Sequence, residues 1–378
     1  MQIDYSKRIF GLDLMRAVAI MMVVFSHIRW ITPNARSIIP DLMSISGVMG
    51  VEIFFCLSGF LIGRILYKMY MSENFSFKHV FYFWIRRWFR TLPNYYLALL
   101  MNILIVFYIG SQLPEHIWRY FFFLHNFATE MPWFFAESWS LSIEEFAYIL
   151  GPLLLYSTLF FKTKTSKSRM FLIVTMFIIL VFFVSKCIYN QNEPIRDMRH
   201  WNVNVKGMVI YRIDAIYYGV LAAYFSIVKP SFWIKIKYPT FIVGIFGLLI
   251  LNTLIPMYRI FIGTHPMFWN VWYFVIKSIS ISATLPLLSS MKSAPKSILK
   301  PITYISILSY AMYLLHYSIV MQLMKHFIPT EDLAGLDIAV FILVYILLTM
   351  ILSYLLYTFY EKPLMDLRDS RTIKNHYK

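Results

Sequence analysis

The sequence has only two cysteines, Cys56 and Cys187, in 378 residues, and both sit in apolar surroundings. That excludes a disulfide framework and a thiolate metal cluster, so no metal site is expected. Charge is scarce too: Asp, Glu, Lys and Arg make up 14% of the chain, where a soluble domain carries about a quarter. Acids are the rarer sign, 19 against 35 Lys and Arg. There is no low-complexity tract and no defensible internal repeat. The first apolar run lacks a small-residue cleavage site and continues too far for a cleavable leader.

What the chain does have is apolar length. Hydrophobic residues make up 59% of it, and the mean hydropathy is +0.63. Runs of ~20 apolar residues recur throughout, matching the ~30 Å hydrocarbon core of a bilayer. A soluble domain could bury much apolar surface, but it would not need such long uninterrupted runs. The expected fold is therefore all-α, a polytopic integral membrane helix bundle forming one domain over 1–378. Ten spans are expected, near 9–30, 45–67, 92–110, 139–161, 170–188, 208–228, 239–257, 268–290, 301–325 and 336–360. The 19% aromatic content suits interfacial belts against the membrane lipids.

The net charge of +16 does not imply a nucleic-acid partner, because Lys and Arg are scattered between apolar spans. They follow a topology rule instead. The loops after the even-numbered spans carry Lys68, Lys78, Arg86, Arg87, Arg90, Lys162, Lys164, Lys167, Lys229, Lys235, Lys292 and Lys296, with Glu73 their one acid. The loops after the odd spans hold fewer bases, among them Arg36 and Arg196, and most of the loop acids, among them Glu137 and Asp332. Basic residues also precede span one and follow span ten. Both termini are expected in the cytoplasm. The mixed loop 189–207 is the exception to the pattern.

Ionisable residues inside spans need a reason, since a charge at the bilayer centre costs about 2.5–3.5 kcal/mol on insertion scales. Span one carries Asp13, Arg16 and His27. Arg16 and His27 share nearly one helix face and lie ~16 Å apart along the axis. Ser309, Tyr313 and His316 form one stripe of span nine; Glu52 in span two, Glu144 and Glu145 in span four, and the histidines His27 and His316 fall in the outer half of the membrane. A histidine beside a carboxylate is the usual composition of a general-base site, with the acid fixing the tautomer. A polar network that merely clamps helices is the bland alternative. Arg86, Arg87, Trp88 and Arg90, just ahead of span three, suit phosphate oxygens and a stacked base. Topology-setting charge or contact with anionic lipid would explain them equally well.

Together these positions resemble the membrane-bound acyltransferase-3 family of O-acyltransferases, over nearly the whole chain. Arg16 and His27 resemble its first-helix motif, and Gly50-Val51-Glu52 through Gly59-Phe60-Leu61-Ile62 its second-helix signature, with Glu52 where the family usually has Asp. Arg87 and Arg90 before Leu92-Pro93 match its paired arginines. Trp139-Ser140-Leu141-Ser142-Ile143-Glu144 is similar to its Trp-Ser-Leu box, and Ser309-Tyr310 with Tyr313-Leu314-Leu315-His316 to its C-terminal segment. Glu361-Lys362-Pro363 has Lys where Arg is commoner.

The resemblance implies an enzyme of the bacterial cytoplasmic membrane, in the form without a C-terminal hydrolase-like domain. It would move an acyl group, often acetyl, from acetyl-CoA or another acyl-CoA to a hydroxyl of an envelope carbohydrate or lipid-linked glycan. Acyl-CoA is a co-substrate and no bound cofactor is expected. His27 is the expected base, with Glu52 or Glu144 as its carboxylate and Arg16 on the acyl route. Arg86, Arg87 and Arg90 are expected to bind the donor, and Trp139, Ser142, Tyr313 and His316 are candidate substrate-binding residues. An acyl-histidine intermediate on His27 stays open, as do the acceptor and the oligomeric state. The alternatives are a transporter or flippase for a polar lipid or sugar, and a structural subunit of an envelope complex.

Overall fold

A computed structural model describes residues 4–31, 38–162, 164–193, 197–331 and 333–368. Arg36, Arg196, Asp332 and the basic tail beyond residue 368 lie outside the described residues. Among the described residues there are helices and no strand. Ten are long: α1 (Phe10–His27), α2 (Ile38–Tyr70), α3 (Phe77–Ile109), α4 (Ser138–Ser157), α5 (Lys167–Asn192), α6 (Asp214–Val228), α7 (Lys237–Met257), α8 (Tyr273–Leu288), α9 (Lys296–Leu315) and α10 (Leu336–Leu356). Among the described residues eight helical runs are long and apolar enough to cross a membrane, and the shorter apolar helices are Asp214–Val228 and Lys237–Thr253. The all-α polytopic bundle is the observed architecture.

Two boundaries differ from the sequence reading. The span expected to begin at 208 becomes α6, only 15 residues long and thus ~22 Å, short of the hydrocarbon core. A π turn at Asn202–Lys206 and a 3₁₀ turn at Val209–Tyr211 precede it, because Arg212 and Asp214 are drawn into the interior. The span expected at 92–110 starts far earlier, so Arg86, Arg87 and Arg90 stand on α3 itself and not in a loop. Pro93 removes one N–H from the ladder yet does not break the helix, because neighbouring helices hold its backbone. Tyr310 donates to the Thr91 carbonyl at 2.7 Å and Tyr360 to that of Pro93 at 3.5 Å. The helix ends at Gly110, whose φ of 78° supplies the left-handed cap.

α2 is the central element, packed most extensively against α6 and α1 and also touching α4, α5 and α8. Small residues permit this closeness, as they do generally between membrane helices. A Cβ added at Gly59 would be driven into the carbonyl oxygen of Ile216, and one at Gly219 into that of Cys56. The open N-terminus of α1 is closed by the segment after α8: Gly11 N–H donates to the Met291 carbonyl at 2.9 Å and Phe10 N–H to that of Lys292 at 3.4 Å. α9 packs on α1, α3 and α10, which brings the ends of α1 and α9 together.

Replacing Gly59 by Ala should destabilise the bundle by about 1–3 kcal/mol, since backbone must move to admit the methyl. Thermal unfolding in detergent should show a lower midpoint for that variant, while Gly263→Ala, where nothing lies within 4 Å, should match the parent.

Candidate active site

Five helices, α1, α2, α3, α4 and α9, enclose a cavity of about 970 Å³. Arg16, Arg64, Lys68, Arg86, Arg87, Arg90 and Arg368 line it, and Glu144 is the one acid among the lining residues. Arg90 is a surface neighbour of both Arg86 (i, i+4) and Arg87 (i, i+3) on α3, and aromatic rings hold Arg86 and Arg87. Arg87 lies over Tyr148 at 5.4 Å and over Phe83 at 6.0 Å, and Arg86 over Tyr82 at 5.7 Å. Tyr148 donates to Glu144 Oε2 at 2.7 Å and lies 2.5 Å from the Ser58 hydroxyl. Glu144 is thereby tied into the wall. On α1, Arg8 grips Asp13 through two nitrogens at 2.5 and 2.7 Å. Arg16 keeps only a longer approach to Asp13 at 3.7 Å and a bond to Ser306 at 3.3 Å, so much of its charge faces the cavity.

At the end of α1 His27 meets His316, the first residue of a π segment, His316–Met321, that continues α9. His316 Nε2 lies 3.1 Å from His27 Nδ1, the rings crossing edge-on at 4.7 Å between centroids. The Tyr317 ring lies 4.4 Å from that of His27. Glu137 secures the π segment by accepting the Ser318 N–H at 2.7 Å, and burial pushes its carboxyl up to about 7. Tyr313 bridges the two regions. It lines the cavity, its ring centroid is 5.9 Å from that of His316, and its hydroxyl lies 2.6 Å from Ser140 Oγ.

The carboxylates are not where the sequence reading put them. No hydrogen bond joins Glu52 or Glu144 to His27. Glu52 instead forms a fully buried ion pair with Arg212 at the head of α6, with the Ser278 hydroxyl 3.5 Å from its other oxygen. Beside it Lys186 pairs with Asp214, and Lys277 donates to the Tyr273 hydroxyl. A buried carboxylate is drawn to a full opposite charge before a neutral imidazole, since an unpaired charge there is the costlier arrangement. Trp139 and Ser142 do not line the cavity. The Trp139 ring packs against Phe55 at 6.0 Å, under Lys206 at 5.1 Å. Ser142 is 3.5 Å from His125 Nε2.

His125 is buried in the 111–137 connection, stacked on Tyr120 at 4.1 Å and bonded to Ser138 Oγ at 2.9 Å. Burial lowers its imidazole to about 3. Arg212, Asp214, Glu137, Ser58 and Tyr148 had escaped notice as site residues. Arg212 and Asp214 were detectable by the charge-cost argument applied to the start of the sixth apolar run. Tyr148 stands one helical turn after Glu144. Ser58 lies inside the second-helix signature, which marks the stretch and gives the residue no role.

Truncating Glu52 to Ala leaves Arg212 buried without a counter-charge, so stability should fall by about 3–5 kcal/mol, read as a lower unfolding midpoint. Any loss of activity in that variant should track loss of fold. The folded state keeps His125 neutral while an unfolded chain takes up a proton below about pH 6.5. His125 therefore contributes stability above that pH, lost as pH falls toward about 3. His125→Phe should flatten this part of the acid-unfolding curve.

Comparison with known proteins supplies the class. A family model described as "Acyltransferase domain" matches residues 9–358. The chain is 24% identical to the putative peptidoglycan O-acetyltransferase YrhL of Bacillus subtilis (strain 168), over 96% of this chain and 55% of that protein. It is 24% identical to the O-acetyltransferase OatA of Staphylococcus aureus (strain NCTC 8325 / PS 47), over 95% of this chain and 58% of the relative. With the peptidoglycan O-acetyltransferase OatA of Listeria monocytogenes the identity is 23%, over 84% and 50%. The chain thus spans about half the length of the curated relatives it matches. No solved structure matches. With nearly its whole length, the histidine pair and every lining residue of the cavity but Arg368 inside the matched region, the chain belongs to this acyltransferase family.

Proposed function

We propose that the protein is a membrane O-acyltransferase that moves an acyl group, most simply acetyl, from cytoplasmic acyl-CoA to a hydroxyl of a cell-envelope carbohydrate. The observation that carries this reading is the 970 Å³ cavity, rich in arginine and lysine, whose lining residue Tyr313 stands beside the His27–His316 pair. Coenzyme A is a polyanion. Arginine forks match its phosphate oxygens bidentately, and their charge does not titrate away. Arg64, Lys68, Arg86, Arg87 and Arg90 would hold the phosphates, and Arg16 would lie on the path of the thioester arm.

In the reaction His27 takes the proton of the acceptor hydroxyl as its oxygen attacks the thioester carbonyl. The new C–O bond forms, the C–S bond breaks, and the proton passes to the departing thiolate. The basic even-numbered loops support an orientation with both termini in the cytoplasm and His27 toward the outside. In a bacterium that would be the cytoplasmic membrane, with the donor on one side and exported glycan on the other. The relatives' names support a peptidoglycan-like acceptor.

Purified protein should transfer label from acetyl-CoA to an envelope glycan, gaining one acetyl mass per product. His27→Ala should lose at least about 10²-fold in kcat while remaining folded in detergent. Arg87→Gln with Arg90→Gln should chiefly raise KM for the acyl-CoA. Turnover retained in His27→Ala would overturn the assignment of the base, and a rise confined to the acceptor KM would remove the arginines from the donor site.

A further inference from the structure

A general-base histidine needs one ring nitrogen held as N–H so that the other keeps its lone pair, and a carboxylate usually does the holding. Among the described residues no carboxylate is within hydrogen-bonding distance of His27. Glu52 is paired with Arg212, Glu137 accepts from Ser318, and Glu144 accepts from Tyr148. What His27 Nδ1 does meet is His316 Nε2 at 3.1 Å, the Val23 carbonyl at 2.9 Å and Ser26 Oγ at 3.2 Å.

The protons on these atoms follow from their partners. His316 Nδ1 lies 3.1 Å from the Met312 carbonyl and 2.9 Å from the Tyr313 carbonyl. Carbonyl oxygens only accept, so His316 Nδ1 carries the hydrogen, and Nε2 of the neutral ring is a lone pair. The Ser26 hydroxyl hydrogen is directed at the Val23 carbonyl, 2.7 Å away, so Ser26 also presents an acceptor to His27. Every neighbour of His27 Nδ1 therefore accepts, and Nδ1 must donate. His27 Nε2 meets no hydrogen-bonding partner among the described residues and keeps its lone pair for an incoming hydroxyl.

We propose that His316 is the positioning residue of the base, a neutral imidazole doing the orienting work of a carboxylate. The inference rests on the reading of His27 as the base. His316 Nε2 fixes the ring plane of His27 and, together with the Val23 carbonyl, its tautomer, and the bond between the two rings strengthens when His27 becomes imidazolium. The proton moves from acceptor hydroxyl to His27 Nε2 and from there to the leaving thiolate; His316 gains and loses none. Its own orientation is set by the two α9 carbonyls, and Glu137 holds the following turn through Ser318. The change from α to π register at His316 fits this role, since such segments concentrate at functional sites.

The test compares His316→Leu with His316→Gln, whose side-chain carbonyl can reach the place of Nε2 and accept from His27. Outer-shell partners of this kind are worth about 10–100-fold. His316→Leu should lose that much in kcat with the KM for acetyl-CoA unchanged, and His316→Gln should recover most of it. His316→Glu, whose carboxylate reaches the place of Nε2, should move the acid limb of the kcat profile to higher pH against the opposing charge of Lys206, a shift that a purely structural role would not produce. Nitrogen-15 NMR of ring-labelled parent protein should show His27 protonated at Nδ1 and bare at Nε2 in the neutral state, a readout that needs no variant to fold. Full kcat in His316→Leu, equal losses in the Leu and Gln variants, or the opposite tautomer would each overturn the proposal. An active His27→Ala would instead sink the reading of His27 as base, so the two failures are distinguishable.

Discussion

Glu52 and Arg212 form a fully buried ion pair that joins α2 to the head of α6, and the neighbouring Lys186–Asp214 pair ties α5 into the same place. In a low-dielectric interior neither member of such a pair can be left without the other. Much of the fold accommodates that requirement. The chain gives up regular α-helix over 202–211 and shortens α6 so that Arg212 and Asp214 can point inward. Gly59 and Gly219 let α2 and α6 approach until their backbones touch, with the Glu52–Arg212 link at the end of that contact. The commitment of Glu52 has a chemical consequence as well. It removes the acid of α2 from the reach of His27, and the partner of His27 comes from α9 instead.

The remaining charge is divided unevenly, and that division separates two kinds of chemistry. Positive side chains from α1, α2 and α3 collect around one cavity with Glu144 as the sole acid in its lining, an environment suited to a polyanion. Beyond Tyr313 the site changes to two imidazoles bonded to each other and to backbone carbonyls, an environment suited to proton transfer. Tyr313 touches both, through its hydroxyl bond to Ser140 and its ring beside His316. On the function proposed above, such an arrangement would bring a bulky anionic donor close to the base.

Much of this was legible one residue at a time. The first-helix Arg16 and His27, the paired Arg87 and Arg90, Glu144 and Tyr313 are recognisable as strings, and the structure gathers all of them except His27 around the cavity, with His27 just past Tyr313. Pairings were harder. Glu52 was read with His27 because both lie in the outer half of neighbouring spans, a rule that ranks by depth along the axis and ignores which face each residue presents. Arg212, whose charge was read only as part of the loop before the sixth apolar run, competes for the same carboxylate. The span expected at 92–110 starts at the end of the arginine cluster, because charge in an isolated helix marks the limit of a membrane run. Tyr310 and Tyr360, far away in sequence, supply the backbone contacts that let α3 continue.

Residence in a membrane and an all-helical fold were decided by the sequence itself, since run length and charge scarcity answer directly to the thickness and dielectric of the bilayer. The residue types of the site were decided there too, because ionisable side chains in such runs are too costly to be incidental. The tertiary structure alone decided the partners. Which acid meets which base depends on helix rotation, on close approaches at single glycines and on shifts to π or 3₁₀ register, each a difference of a few ångströms that apolar periodicity does not encode. His27 is identifiable from the sequence as an expensive histidine; that it leans on His316 and leaves Glu52 to Arg212 follows only from the packed bundle.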